Sequence, residues 1–229
     1  MMLSDLEWQA LELSLKVSTV AVICSLPFGI LIAWILVRCN FPGKSLLDSV
    51  IHLPLVLPPV VVGYLLLIAL GRRGVVGEWL YNWFGFSFAF SWRGAALAAA
   101  VVAFPLTVRA IRLALEAVDT RLEQAARTLG AGRLRVFFTI TLPLTLPGII
   151  VGTVLGFARS LGEFGATITF VSNIPGETRT IPLAMYTLIE TPGAENAAAR
   201  LCVIAIILAL VSLLISEWLA RAGRKRLRG

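Results

Sequence analysis

Charged residues are scarce in this chain: Asp, Glu, Lys and Arg make up 14% of its 229 residues, whereas soluble domains carry about 25%. Hydrophobic residues account for 58%, and the mean hydropathy is +0.89. This shortage of charge excludes a soluble globular domain, whose surface needs many more polar groups. It also excludes a disordered chain, because disorder accompanies low hydrophobicity and high net charge. The composition therefore predicts a membrane protein.

Histidine and cysteine are also scarce, with one histidine and three cysteines. The single His52 excludes a multi-histidine metal site, and Cys24, Cys39 and Cys202 form neither a CxxC motif nor a cluster with it. The sequence lacks a GxxxxGKS/T phosphate-binding loop, and its apolar runs contain no paired carboxylates. We therefore expect no metal site, no cofactor and no catalytic centre, and any ATP that drives this protein must bind to another chain.

Five apolar runs are long enough to cross a membrane as helices, which requires about 20 residues each. They predict spans at approximately 14–37, 49–71, 92–112, 144–171 and 200–220. A further stretch at 79–91 is rich in aromatic residues but short, which is typical of a segment at the membrane interface; a short sixth span there is the alternative. The sequence thus predicts a single all-α, polytopic membrane domain over residues 1–229.

Lysine and arginine are distributed unevenly among the connections between these spans. With the C-terminus inside, the inside segments carry thirteen basic and four acidic residues, and the outside segments carry six basic and seven acidic ones. Because positive charge favours the cytoplasmic side, we predict that the N-terminus lies outside and the C-terminus in the cytoplasm. The basic tail at 221–229 then serves as an anchor near anionic lipid, and no nucleic-acid partner is expected.

The longest inside connection, at about 113–143, is predicted to contain two short helices. Asp119 or Thr120 is a suitable N-cap, and Glu123 falls where it completes a capping box. Gly130 is a favoured residue just after a helix end. The predicted helices cover residues 121–129 and 133–139. Two small helices joined through glycine form a compact projection that is suited to dock in a groove on a soluble partner.

Seven residues of this connection follow a defined spacing. They are Gln124, Ala125, Ala126, Gly130, Ile140, Leu142 and Pro143. This spacing resembles the EAA signature of ABC-importer permeases, although the family usually has glutamate at the position of Gln124; here Glu123 stands beside it. The resemblance implies that the loop is a coupling helix seated in a cleft of a separate ATP-hydrolysing subunit. Since a transporter needs two such loops, it also implies two ATPase subunits and a second permease chain, either a homodimer or a similar chain.

Two other stretches, at 53–63 and 158–186, make the resemblance more specific. They contain LPLVLPPVVVG in the first case, and SLGEFG followed by NIPGETRTIP in the second. Together with the loop they are similar to the permeases of molybdate importers, which are closely related to sulfate and thiosulfate permeases. This implies a type I ABC-importer transmembrane fold in the bacterial inner membrane, molybdate or tungstate as substrate, and a periplasmic molybdate-binding protein. A sulfate or thiosulfate permease is the nearest alternative, and an ATP-independent channel or secondary transporter is the distant one.

Two ionisable residues interrupt the fourth predicted span. Arg159 and Glu163 are spaced i,i+4 and so share one helix face, and ionisable groups inside a membrane are candidates for function. Either they form an ion pair that stabilises a gate or the bundle, or Arg159 is a transient partner of the oxyanion. Gly162 and Gly165 allow close helix approach or a moving gate. The hydroxyl of Ser160 is a candidate lining group of the translocation path.

Proline interrupts the second predicted span at positions 54, 58 and 59. Each proline removes a backbone donor, so this span is predicted to be kinked and packed against other protein segments. On the outside, the connection at 172–200 carries Glu177, Arg179 and Glu190. These three residues are either candidates for docking the binding protein or ordinary solvated charges.

Overall fold

The computed structural model describes residues 4–228, with side chains described as far as 219 except that of Ser216, and within that range all regular secondary structure is helical. In chain order the helices are α1 (Asp5–Arg38), α2 (Lys44–Val56), α3 (Pro59–Leu70), α4 (Val75–Phe84), α5 (Trp92–Glu116), α6 (Thr120–Thr128), α7 (Arg133–Val136), α8 (Leu142–Leu161), α9 (Gly165–Val171), α10 (Ile181–Glu190) and α11 (Glu195–Arg228). A π-helical turn, Phe137–Thr141, joins α7 to α8. The all-α prediction is confirmed. The basic side chains of the tail, with their predicted anchoring role, lie outside the described side chains.

Four helices in the described range are long and apolar enough to cross a membrane, or five spans result when the bent pair α2–α3 is taken as one. The prediction of about five spans agrees with this. α1 begins with a capping box, in which the Ser4 hydroxyl accepts from the Glu7 N–H and the Glu7 carboxylate accepts from the Ser4 N–H. The stretch at 79–91 holds the end of α4 and a loop; α4 has 10 residues, which extend only about 15 Å.

The second predicted span is the pair α2–α3, which is bent by 115°. The backbone leaves the helical conformation at Leu57 (φ −70°, ψ 140°) and Pro58 (φ −54°, ψ 133°). Pro59 then opens α3, at a position where a missing backbone N–H costs nothing. The predicted kink is therefore present, and it lies at the Pro58–Pro59 pair, whereas Pro54 stays within α2.

The fourth predicted span, at 144–171, is not one helix. α8 ends at Leu161, and α9 begins at Gly165 after a non-helical Phe164 (φ −125°, ψ −53°). The carboxylate of Glu163 accepts a hydrogen bond from the Ala166 N–H at 2.8 Å, which satisfies a free donor in the first turn of α9. The apolar sequence continues through this break, so hydropathy could not show it.

Packing shows the direction in which the spanning helices run. One core cluster holds Val17 of α1 with Ala98 of α5, and a second holds Leu36 of α1 with Ile111 of α5. α1 and α5 therefore run in the same direction. The first cluster also includes residues of α3 and the second includes residues of α2. The bent pair thus returns the chain from the end of α1 to the start of α5.

α8 runs opposite to α5. Gly148 lies against Ala114 near the end of α5, and the Ser160 hydroxyl donates to the Ala99 carbonyl oxygen near its start. α11 begins beside the start of α1, where Leu201 belongs to the same core cluster as α1 residues. The chain thus traverses the bundle five times, so α1 begins and α11 ends at opposite ends. We call the end that carries α6 and α7 the loop end.

Glycine brings α5 and α8 into direct contact. A Cβ atom at Gly148 would lie 2.1 Å from the Ala114 Cβ, and one at Gly156 would lie 2.5 Å from the Thr107 Oγ1. The Thr107 hydroxyl donates across the interface to the Gly152 carbonyl oxygen at 3.2 Å. Small residues allow this approach, which gives membrane helices the van der Waals packing that replaces a hydrophobic driving force in lipid.

Candidate functional site

The loop end carries α6 and α7 joined by a left-handed glycine, as predicted. The second helix does not stand alone over 133–139, however: α7 is four residues long and continues through the π-helical turn into α8, because Pro143 lies in the first turn of α8 and does not end a helix. Asp119 caps α6, because its carboxylate accepts a backbone hydrogen bond from the first turn at 2.9 Å. At the other end Gly130 has φ +87°. Its N–H donates to the Arg127 carbonyl, and the Ala131 N–H donates to the Ala126 carbonyl, both at 3.0 Å. These two bonds form a Schellman motif, which turns the chain from α6 into α7.

Residues 117–141 are the part of the predicted 113–143 connection that lies between α5 and α8, and we call them the coupling loop. Their outer surface mixes polar side chains with large apolar ones. Leu122, Leu129, Leu134 and Phe138 are between 49% and 89% exposed. Among the seven motif positions, the exposed ones are Gln124, Ala125, Gly130 and Pro143, and the half-buried ones are Ala126, Ile140 and Leu142. Exposed apolar side chains of this size at the end of a bundle are available to contact another protein.

Glu123 does not complete the predicted capping box. Its side chain faces the interior of its own subunit, where Oε1 lies 2.9 Å from the Arg38 Nη2 and accepts a hydrogen bond from the Thr141 hydroxyl, also at 2.9 Å. Gln124 is thus the outward-facing neighbour of an inward-facing carboxylate. Arg38 and Thr141 had no sequence signal for this contact, because Arg38 precedes Glu123 by 85 residues.

A second network of charged residues connects α2 to α5 near the loop end. The Arg112 guanidinium lies 2.9 Å from the Asp48 carboxylate and 2.8 Å from the Glu116 carboxylate. The His52 Nδ1 lies 3.1 Å from the same Asp48 carboxylate. The i,i+4 spacing of Arg112 and Glu116 is visible in the sequence, whereas the partner on α2 is set by tertiary packing.

The ion pair predicted between Arg159 and Glu163 is present, with Nη1 and Oε2 2.7 Å apart. The carboxylate is 1% exposed and the guanidinium side chain 29%. The other carboxylate oxygen of Glu163 accepts a hydrogen bond from the Ala166 N–H. Glu163 therefore neutralises Arg159 and fixes the start of α9 at the same time.

Gly165 brings the two helix breaks of the molecule together. A Cβ atom there would lie 2.9 Å from the Pro59 Cβ, at the start of α3. One turn further along α3, a Cβ atom at Gly63 would lie 2.5 Å from the Ala166 carbonyl oxygen. The close approach expected of Gly165 is therefore present, and it joins α3 to α9.

Gly162 and Ser160, two residues of the predicted translocation path, do not have the roles that the sequence predicts for them. Gly162 has open space around it, since the nearest neighbour of a Cβ atom there would be 3.9 Å away. Gly162 is therefore not a point of close helix contact. Ser160 is buried, and its hydroxyl donates to the Ala99 carbonyl oxygen at 3.4 Å. This side chain joins α8 to α5 and is not a free lining group. Neither environment is visible in the local sequence.

The three candidate docking residues lie at the end opposite the loop end. Glu177 is exposed, and its carboxylate accepts from the first backbone N–H of α5 at 3.3 Å. Arg179 is half-buried and donates to the Asn173 side chain at 2.9 Å. Glu190 is exposed at the end of α10. A hydrogen bond between the Tyr186 hydroxyl and the Glu190 carboxylate raises the pKa of Tyr186 above its ordinary value. The two glutamates are thus accessible, whereas Arg179 is engaged within its own loop.

The bundle has helices apolar enough for five traversals and exposes large apolar side chains at its loop end, which is the architecture of a polytopic membrane protein. Residues 25–229 match the family model described as "Binding-protein-dependent transport system inner membrane component". The chain belongs to this family. It is therefore an inner-membrane component with a transport role rather than a catalytic one, in agreement with the prediction.

Curated relatives cover nearly the whole chain. It is 80% identical over 226 residues, 99% of each chain, to the molybdenum transport system permease protein ModB of Escherichia coli (strain K12). The ModB protein of Haemophilus influenzae is 67% identical over 97% of each chain. The sulfate transport system permease protein CysT of Escherichia coli (strain K12) is 37% identical over 94% of this chain and 78% of that relative.

Solved structures of ABC importers share the fold. A bacterial transporter that imports the acidic polysaccharide alginate matches with a TM-score of 0.76 and 21% identity, covering 96% of this chain and 80% of that chain. The methionine transporter MetNI matches with a TM-score of 0.69 and 16% identity, covering 95% and 94%. At these identities the likeness shows the fold alone, and that fold is the predicted ABC-importer transmembrane domain.

Proposed function

We propose that this chain is the permease subunit of an ATP-binding-cassette importer and provides the path by which molybdate enters the cytoplasm. The observation that carries the proposal is the 80% identity, over 99% of the chain, to a molybdenum transport permease. Identity to a sulfate permease is 37%, which makes sulfate the weaker candidate. Tungstate has the same tetrahedral shape and charge as molybdate, so we expect it to use the same path.

Separate ATPase subunits drive transport in this proposal. The coupling loop supports it, because Leu129, Leu134 and Phe138 expose apolar surface at the loop end and Gln124 adds an outward amide. An amide can donate and accept hydrogen bonds, so it replaces the family's glutamate without its charge. Each chain supplies one coupling loop. Two ATPase subunits therefore require a second permease chain, and we propose a homodimer.

The proposed orientation puts the loop end in the cytoplasm. The segments assigned to that side carry thirteen basic and four acidic residues, which is the side that positive charge favours. The opposite end then faces the periplasm, where a molybdate-binding protein docks. Glu177 and Glu190 are exposed there and are our candidates for that contact. Arg179 is a weaker candidate because Asn173 holds its side chain.

Arg159 and Glu163 act, in this proposal, as an ion pair that stabilises the gate region where α3 meets α9. Glu163 is buried, with Oε2 2.7 Å from the Arg159 guanidinium and Oε1 accepting from the Ala166 N–H, and its charge repels an anion at close range. A permanent molybdate site at Arg159 is therefore disfavoured. The 29% exposure of the Arg159 side chain leaves transient contact with the passing oxyanion as the second possibility.

Reconstituted transport tests the function. Proteoliposomes that contain this chain, its ATPase subunits and the binding protein should accumulate radiolabelled molybdate only when ATP is present. Excess tungstate should compete, and excess sulfate should not. Accumulation driven by an ion gradient without ATP would overturn the importer class, and full competition by sulfate would move the substrate to the sulfate branch.

A further inference from the structure

In α6 a charged residue is buried and an apolar residue is exposed, which is the opposite of an ordinary amphipathic helix. Its buried residue is Glu123, whereas the neighbouring Leu122 is exposed. Glutamate is almost never buried unless it is paired. The backbone of α6 lies close to α7 and the π-helical turn. The Glu123 side chain connects α6 to α1 through its contact with Arg38.

The buried carboxylate is a meeting point of four elements. Arg38, at the end of α1, and Thr141, in the π-helical turn before α8, both contact its Oε1 at 2.9 Å. The same guanidinium nitrogen donates to the Leu115 carbonyl oxygen at the end of α5 at 3.4 Å. The Arg38 and Glu123 side chains are 15% and 8% exposed. Shielding from water strengthens both contacts.

α1 extends from this contact to the far end of the bundle. Its 34 residues span about 51 Å. At the far end the Ser14 hydroxyl accepts from the Ile181 N–H at the start of α10, at 2.7 Å. This Ser14 contact is the connection from α1 to α10. About two turns nearer the start of α1, the Glu7 carboxylate lies 2.9 Å from the Arg200 guanidinium of α11, and this pair is not part of the connection to α10. α1 thus joins the coupling loop to the end at which the binding protein is proposed to dock.

We propose that Glu123 is a positioning residue, which through Arg38 makes the coupling loop and α1 move as one body when the ATPase subunits change conformation. The inference rests on the importer function proposed above. With the pair intact, displacement of α6 is delivered to α1 and onward to α10. With the pair broken, the turns on either side of α6 change conformation when α6 moves, so less of the displacement reaches α1 and less molybdate is transported per ATP hydrolysed.

The experiment measures molybdate accumulated per ATP hydrolysed in proteoliposomes with the complete importer. We expect Glu123→Gln and Arg38→Gln each to lower this ratio about five-fold, a coupling change of ordinary size, while ATP hydrolysis continues. The double variant should be no worse than the more affected single variant, because the second substitution removes a contact that is already lost. Additive losses in the double variant would overturn the proposal.

Thr141→Val provides a milder variant that leaves no charge unpaired. It removes the hydrogen bond that holds the Glu123 carboxylate beside Arg38 and keeps the side-chain size, so the pair is weakened and we expect a smaller drop in the ratio. If Glu123→Gln fails to assemble with the ATPase subunits, Thr141→Val decides the matter. An unchanged ratio in that variant then counts against the proposal.

Glu7→Gln is the matched control. It breaks another buried ion pair of α1, in which the carboxylate is 3% exposed, but at the opposite end of the helix. We expect lower thermal stability and a ratio equal to that of the wild type. The proposal is overturned if Glu7→Gln lowers the ratio as much as Glu123→Gln, or if Glu123→Gln leaves it unchanged. If the importer function itself is wrong, the result is different: the wild-type protein then accumulates molybdate without ATP.

Discussion

At the scale of single residues, four arginines among the described side chains are held by carboxylates. Arg38, Arg112, Arg159 and Arg200 each have a carboxylate oxygen within 2.9 Å. A buried pair adds little net stability, but removing one partner leaves an uncompensated charge and is strongly destabilising. Of these contacts, Arg159 with Glu163 follows from the i,i+4 spacing of the two residues, although Glu163 lies just beyond the end of α8. The pairs that join different helices do not.

Arg159→Ala is expected to abolish molybdate uptake. It leaves Glu163 as an unpaired buried carboxylate, which costs roughly 3–5 kcal/mol. The variant Arg159→Gln with Glu163→Gln removes both charges, so it should recover part of the uptake when the pair is structural. The measurement is uptake at equal permease abundance in the membrane. A double variant as inactive as the single one indicates direct contact with the oxyanion, and normal uptake by Arg159→Ala contradicts both roles.

Gly148→Ala is expected to destabilise the bundle, because the new Cβ would lie 2.1 Å from the Ala114 Cβ and α5 must move away from α8. Overpacking of this kind costs about 1–3 kcal/mol. Thermal unfolding of the detergent-solubilised protein measures the loss, which Ala114→Gly should partly reverse. Gly162→Ala is the control, since its nearest neighbour would be 3.9 Å away. Equal melting temperatures for the two alanine variants would contradict the close packing.

At the scale of elements, local signals predicted both ends of the first helix of the coupling loop. Asp119 caps α6 and Gly130 ends it, because capping and the left-handed turn depend on neighbouring residues. The break between α8 and α9 was not predicted. The apolar run continues through it, and the capping contact of Glu163 to α9 exists only once the chain has turned.

Gly130→Val is expected to weaken binding of the ATPase subunits. The residue has φ +87°, a region that costs an L-amino acid about 1–2 kcal/mol and is least tolerated by β-branched side chains. Gly130→Asn should be milder. Co-purification of the ATPase subunits with tagged permease measures the effect. Gly132→Ala is the control, because Gly132 has φ −66° and open space for a Cβ atom; equal loss in this control would contradict the role of the turn.

At the scale of the whole molecule, the five traversals put the coupling loop and the start of α11 at opposite ends. This arrangement follows from parallel packing of α1 with α5 and antiparallel packing of α5 with α8. Helix length and hydropathy predict the number of traversals, because the bilayer requires a minimum apolar length. Charge in the connections predicts the orientation.

Cysteine labelling tests this orientation in intact cells. In a variant without native cysteines and without ATPase subunits, Asn196→Cys should react with a membrane-impermeant maleimide. Leu129→Cys should react only after the membrane is permeabilised, although Leu129 is 89% exposed. The reason is that the proposed orientation puts the two residues on opposite sides of the bilayer. Labelling of both from the same side contradicts the five-span arrangement, and the reversed pattern contradicts the orientation.

The sequence by itself determined the membrane location, the five apolar runs, the kink at the prolines and the two-helix coupling loop. These features depend on composition or on residues within a few turns of one another. The tertiary structure decided the rest: the break before α9, the contact of Ser160 with α5, and the inward turn of Glu123 toward Arg38. The physical reason is that a buried charge or hydroxyl takes whichever partner the folded chain brings within hydrogen-bond distance, and in these cases the partner is remote in sequence or reached only after the helix breaks.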